Sequence, residues 1–153
     1  SVVAWMQRAH VTQGYVPNGK DLIKAVCVGV DIAGGLGDVT TSPLQFFRPA
    51  TAGAIGAVAA INSISSPTTE QAMSALGVVY GQLSGTMQAH TEGAQVLALQ
   101  VGFNARSAGG STYGSGAGLA AAVFKPRCRN GGTAAGGGGK GKGRCTTGGP
   151  AAC

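Results

Sequence analysis

The sequence predicts a mainly α-helical protein, and two periodic patterns carry that expectation. Between Thr68 and Val101, Met73, Leu76, Tyr80, Leu83, Met87, His90, Ala94, Leu97 and Val101 recur at alternating steps of three and four, the seam of an amphipathic helix. On a neighbouring face Gly77, Gly81, Gly85, Ala89 and Gly93 recur at steps of four, a small-residue stripe. An interior glycine costs a helix roughly 0.5–1 kcal/mol against alanine. A stripe of them therefore predicts close approach by another backbone. The expected architecture is a small-residue-rich helical hairpin over about 50–101, preceded by an N-terminal helical segment. An irregular, Gly-rich, disulfide-tethered C-terminal tail follows. The expected domain organisation is a helical domain at 1–105 and a tail at 106–153.

The elements follow in order. Val2, Val3, Trp5, Met6 and Ala9 form a short apolar pattern that suits a helix, and Tyr15-Val16-Pro17-Asn18-Gly19 reads as a turn. Asn18 or Asp21 can cap a segment through Leu22, Ile23, Val26 and Cys27. Val26, Val28, Val30 and Ile32 also alternate with period two, so 25–32 reads as strand or helix, with helix favoured for 20–30. Gly34-Gly35-Leu36-Gly37-Asp38 is expected to break whatever precedes it. Thr40 to Pro49 is a loop around Phe46-Phe47, a candidate hydrophobic plug. Ala50 to Ile64 reads as a small-residue helix with Ala52, Gly56 and Ala60 four apart. Ser66 as N-cap with Pro67 at the first helical position starts the long helix, which closes an αα-hairpin with the one before it.

Composition narrows the core and sets the charge. Only eight aromatic residues occur in 153 and charged residues make up 10%, so a core of large side chains would be thin. The five acids are Asp21, Asp31, Asp38, Glu70 and Glu92, and the formal charge is −1 up to Glu92 and +7 beyond it. Lys125, Arg127, Arg129, Lys140, Lys142 and Arg144 make the tail a candidate contact for polyanions or acidic neighbours. Its bases alternate with glycine rather than aromatics. Any nucleic-acid binding would thus be sequence-independent and salt-sensitive, without specific recognition. Two uncharged windows, Pro49–Thr69 and Gln71–Thr91, approach the length of a bilayer span, but their Asn, Gln, His, Ser and Thr content favours a buried hairpin. Contact with a membrane stays open as the alternative. Ser1 in place of methionine suggests a removed leader or a trimmed initiator.

Chemistry is sparse in the linear sequence. Cys27, Cys128, Cys145 and Cys153 are disulfide candidates, with one bridge expected inside the tail and one from Cys27 to it, which implies an oxidising compartment. Their spacing lacks a C-x2-C knuckle, so no metal is expected. His10 and His90 are far apart, and no Ser or Cys has a partner set for nucleophilic attack. Gly34-Gly35-Leu36-Gly37-Asp38-Val39 resembles the glycine motif of starch and glycogen synthases, but Ile32 stands where those enzymes carry lysine. Gly139-Lys140-Gly141 lacks the Ser or Thr of a phosphate loop. No catalytic residue, metal or cofactor is expected, and the protein reads as a non-enzyme.

The nine residues Ala72-Met73-Ser74-Ala75-Leu76-Gly77-Val78-Val79-Tyr80 resemble a segment of the R-body ribbon proteins of bacteria. That resemblance implies polymerisation. The expected function, read from the glycine stripe, is a self-assembling subunit of a filament, sheath, shell or surface assembly, outside the cell or at its surface, with copies of itself as partners. The glycine stripe would admit a second helix while Leu76, Tyr80, Leu83 and Leu97 filled the contact. The alternative is a monomeric secreted cationic protein that binds membranes or polyanions through its tail.

Overall fold

The computed structural model describes residues 1–43 and 45–116. Six helices follow one another there: α1 (Val2–Gln13), α2 (Gly19–Val39), α3 (Arg48–Ser65), α4 (Thr69–Gly81), α5 (Gln88–Thr91) and α6 (Val96–Gly116). The expected mainly helical class is thus what the described residues show. Their only strand-like pairing is a single antiparallel bridge between Phe46 and Thr86.

Local chemistry sets most helix ends. Gly14 closes α1 in the left-handed conformation and returns its N–H to the Ala9 carbonyl. Asn18 caps α2 by accepting the Asp21 N–H at 2.9 Å. Thr68 and Gln71 form a capping box on α4. The expected cap at Ser66 is therefore corrected: Ser66 lies in the left-handed region at φ 50, ending α3, and Pro67 sits outside α4.

α3 is the hub. On one side it packs along α2, with Gly29 and Gly56 facing each other at the crossing. A Cβ built on Gly29 would lie 3.1 Å from both the Ala60 Cβ and the Gly56 carbonyl oxygen. On the other side Ala54 and Val58 meet Ala75 and Val79 of α4 and Ala108 of α6. At its far end Ile61 joins Trp5, Met6 and Ala9 of α1, with Tyr15, Leu22 and Tyr113 around them. The largest fully buried side chains are Ile61, Val58, Val79, Asn104 and Ser111. A chain poor in large residues has built its interior by bringing backbones together.

Several expectations need correction. The continuous helix from Thr68 to Val101 does not exist. α4 stops at Gly81, α5 is one short turn, and Gly85 and Gly93 take φ +116 and +63 between the helices. The proposed stripe is consequently dispersed. Gly77 is half-buried on α4 and Gly81 is exposed with open space at its Cβ position, while Ala89 is buried on α5. Tyr80 is 71% exposed, Leu76 and Leu83 pack partly against the core, and Leu97 is half-buried on α6. Close approach of small residues does occur, between α2 and α3. The glycines at 34, 35 and 37 do not break α2, which runs to Val39. The irregular tail expected from residue 106 is helical through Gly116. Cys27 is exposed on α2 and is the single cysteine among the described residues. Its expected partners Cys128, Cys145 and Cys153, and the basic residues Lys125, Arg127, Arg129, Lys140, Lys142 and Arg144, lie outside the described residues.

Candidate functional site

Two loops cross where α3 begins and α4 ends, and the crossing is held by hydrogen bonds rather than by apolar packing. Asn104 of α6, buried to 1% exposure, accepts the Ser84 N–H at 3.2 Å and donates to the Ser84 carbonyl at 2.7 Å and the Gln100 carbonyl at 2.8 Å. Its amide thereby satisfies the backbone groups that Ser84 would otherwise place in a helical ladder. Gly85 then turns through φ +116, a conformation that side-chain-bearing residues rarely adopt. From there its carbonyl accepts the Phe47 N–H at 3.1 Å, and the Met87 N–H reaches the Gln45 carbonyl at 3.4 Å.

Functional side chains gather around this crossing. Phe47 stacks on His90 with ring centroids 6.3 Å apart and planes at 22°. The next residue, Arg48, opens α3 and donates through Nη2 to the carbonyls of Ser42 at 2.9 Å and Thr40 at 3.4 Å. Those bonds take up both hydrogens of Nη2, the nitrogen shared by the two bidentate edges of the guanidinium, so Nε and Nη1 remain as separate single donors. Beside it lies a cleft of about 200 Å³ lined by Leu36, Thr40, Gln45, Arg48, Thr51 and Leu83, with no acidic residue in its wall. The positive end of the α3 dipole adds to the Arg48 charge there. Gln100 donates to the Thr86 carbonyl at 3.5 Å, while its Oε1 is buried without a hydrogen-bond partner. A buried acceptor left unpaired costs about 1–3 kcal/mol. Chemically, the crossing offers a guanidinium charge with single N–H donors, an imidazole and a hydrogen-bonded loop.

Of the residues singled out from the sequence, Leu83 lines the cleft, Gly85 makes the turn, and Ala89 and His90 sit on α5 beside it. Arg48, Gln100 and Asn104 were not legible as site residues. The one available signal was polar Gln100 and Asn104 four apart, on a single helical face, in an otherwise apolar stretch. His10 is elsewhere, its Nδ1 2.8 Å from the Tyr15 carbonyl oxygen. Among the described residues no group of three His, Cys, Asp or Glu side chains could hold a metal. No helix there is long and apolar enough to cross a membrane.

Comparison with protein families finds that residues 1–124 match the MmgE/PrpD N-terminal domain. The chain belongs to this family. The MmgE/PrpD domain therefore accounts for all six helices and both crossing loops. Comparison with curated proteins and with solved structures finds no match. MmgE/PrpD proteins are enzyme-related and include 2-methylcitrate dehydratase. This membership overturns the expected self-assembling subunit of a filament, sheath, shell or surface assembly. It equally overturns the alternative of a secreted cationic binding protein. The expectation of a non-enzyme also loses its support, because an MmgE/PrpD domain points to a metabolic enzyme. The nine-residue likeness to R-body proteins covers α4, whose Ser74, Ala75 and Val79 are buried within this domain.

Proposed function

We propose that this domain supplies one wall of the site of a metabolic enzyme that eliminates water from a small polycarboxylic acid. The observation that carries the reading is the acid-free cleft at the loop crossing, lined by Arg48 at the N-terminus of α3. A carboxylate is the ligand such a place favours, since the guanidinium charge, its remaining N–H donors and the positive end of the helix all attract an anion. Family membership supports the choice of reaction, because a dehydratase of 2-methylcitrate acts on a compound of this class.

Elimination requires a base to take a proton from the carbon next to a carboxylate while the hydroxyl on the neighbouring carbon leaves as water. The C–H electron pair becomes the new C=C bond. In this reading Arg48 holds the carboxylate and stabilises the charge that develops on it as the C–H bond weakens. His90, oriented by its stack on Phe47, takes the proton from the carbon next to the carboxylate and returns it to the hydroxyl, which departs with the C–O electron pair as water. Gly85 and Asn104 keep the two loops in register, so Arg48 and His90 hold a fixed separation.

The test is calorimetric titration of citrate and 2-methylcitrate, with acetate as a control, into the wild type and Arg48→Gln. Turnover is followed by ultraviolet absorbance of the unsaturated acid in the complete protein carrying His90→Ala. Arg48→Gln is expected to weaken polycarboxylate binding about tenfold or more, the worth of a charge-assisted hydrogen bond. His90→Ala should bind normally and turn over at least a hundredfold more slowly. Unchanged binding by the first variant, or wild-type turnover by the second, would overturn the reading.

A further inference from the structure

A second cleft, of about 520 Å³, runs between α1 and α6. We propose that it is an anion site separate from the loop crossing, taking a small organic dianion between Arg8 and Arg106. Trp5, Gly102, Gly109 and Tyr113 line it together with the two arginines. On α6 the cleft residues Gly102 and Arg106 are each offset by two positions from Asn104. At about 100° per residue this places them on roughly the opposite side of the helix from the Asn104 contact.

Charge is the first argument. The described residues carry five Lys and Arg side chains, at Arg8, Lys20, Lys24, Arg48 and Arg106, and two of them share this cleft. All five acids of the chain, Asp21, Asp31, Asp38, Glu70 and Glu92, lie elsewhere. Two guanidinium groups in one concave space with no carboxylate to offset them raise the local potential and draw in an anion from solution.

Preorganisation is the second. The Arg8 guanidinium carbon stands 4.9 Å above the Tyr113 ring, and the Tyr113 hydroxyl donates to the Trp5 carbonyl at 3.1 Å. Trp5 in turn meets Tyr15 edge-on, with centroids 5.6 Å apart. Arg8 is thus seated on an aromatic platform that is itself tied to the backbone of α1, which reduces the ordering it must undergo on binding. Burial raises the Tyr113 phenol above its ordinary range against the opposing pull of Arg8, so it stays neutral and keeps its one hydrogen on the Trp5 carbonyl.

Open volume is the third. Gly102 and Gly109 are interior positions of α6, where glycine weakens a helix. Unlike Gly29 and Gly56, they pack against nothing: a Cβ at either would find no atom within 4 Å. Their missing side chains leave space instead of admitting another helix. Two planar forks in such a space suit a ligand with two acidic groups or one doubly charged group, a dicarboxylate or a phosphate monoester.

The experiment titrates succinate, glycerol phosphate and acetate into the full chain and follows amide chemical shifts of α1 and α6. Saturable binding of a dianion, at least tenfold tighter than acetate and weakening as salt rises, is expected. Tighter succinate identifies a carboxylate ligand and tighter glycerol phosphate a phosphate ligand; acetate binding as well as either would overturn the proposal. Arg106→Gln should weaken dianion binding about tenfold. Gly109→Leu fills the cleft while keeping both charges and should abolish binding; wild-type affinity in either variant sinks the idea. Arg48→Gln should leave these shifts unchanged, which separates this cleft from the polycarboxylate site at the loop crossing.

Discussion

Gly53 and Gly56 lie one turn apart on α3, yet alanine at the two positions should move stability in opposite directions. A Cβ on Gly56 would fall 3.0 Å from the Ala33 Cβ and closer still to the Gly29 carbonyl oxygen, inside the distance real Cβ atoms keep. The Gly29 oxygen belongs to a helical backbone and cannot rotate away, so α2 and α3 must separate along the crossing. Overpacking of this kind costs about 1–3 kcal/mol. The better helix propensity of alanine returns about 0.5–1 kcal/mol; because the clash is with backbone, the cost falls in the upper part of its range, about 2–3 kcal/mol, leaving a net loss of about 1–2.5 kcal/mol for Gly56→Ala. At Gly53 a Cβ meets nothing within 4 Å. Only the propensity gain remains there, about 0.5–1 kcal/mol of stabilisation. Urea unfolding followed by circular dichroism, with thermal melts alongside, reads both. The midpoint should fall by roughly 3–8 °C for Gly56→Ala and rise by a few degrees for Gly53→Ala. A Gly56→Ala protein as stable as the Gly53→Ala protein would refute the claim that backbone contact between α2 and α3 excludes a side chain.

Two further outcomes follow from the same coordinates. Gly85→Ala forces a side chain into φ +116 and to 3.0 Å from Gln100 Oε1, so it should cost about 1–3 kcal/mol and weaken polycarboxylate binding by calorimetry; full retention of both would contradict the role given to the loop crossing. Tyr15 donates to Asp21 Oδ2 at 2.7 Å, and this hydrogen bond, then burial, then the Asp21 charge push its phenol from 10.0 up to about 12. Because the folded value is the higher one, the associated stability is present below pH 10.0 and is lost as pH rises toward about 12. Phenolate absorbance should show this late titration, and Asp21→Asn should bring its midpoint down; no change in that variant would dismiss Asp21 as the cause.

How much of this could be read in advance differs from element to element. The small-residue helix at 50–64, the break at Ser65-Ser66-Pro67 and the Asn18 cap were legible because each rests on contacts within a few residues. The site was not. No sequence motif marks Arg48 or Asn104, and it is folding that sets Asn104 against Ser84, 20 residues earlier in the chain.

By itself the sequence determined that the protein would be helical and that its interior would be built from small residues, since too few large side chains exist to fill a wider one. Only the tertiary structure decided which glycines serve contact and which serve turning. Periodicity counts positions along one strand of chain, whereas a helix continues or stops according to what competes for its backbone. α2 continues through Gly34 and Gly35 as part of a helix that packs along α3. α4 ends at Gly81, and the continuing seam beyond it fails, because the buried Asn104 amide takes up the N–H and C=O of Ser84.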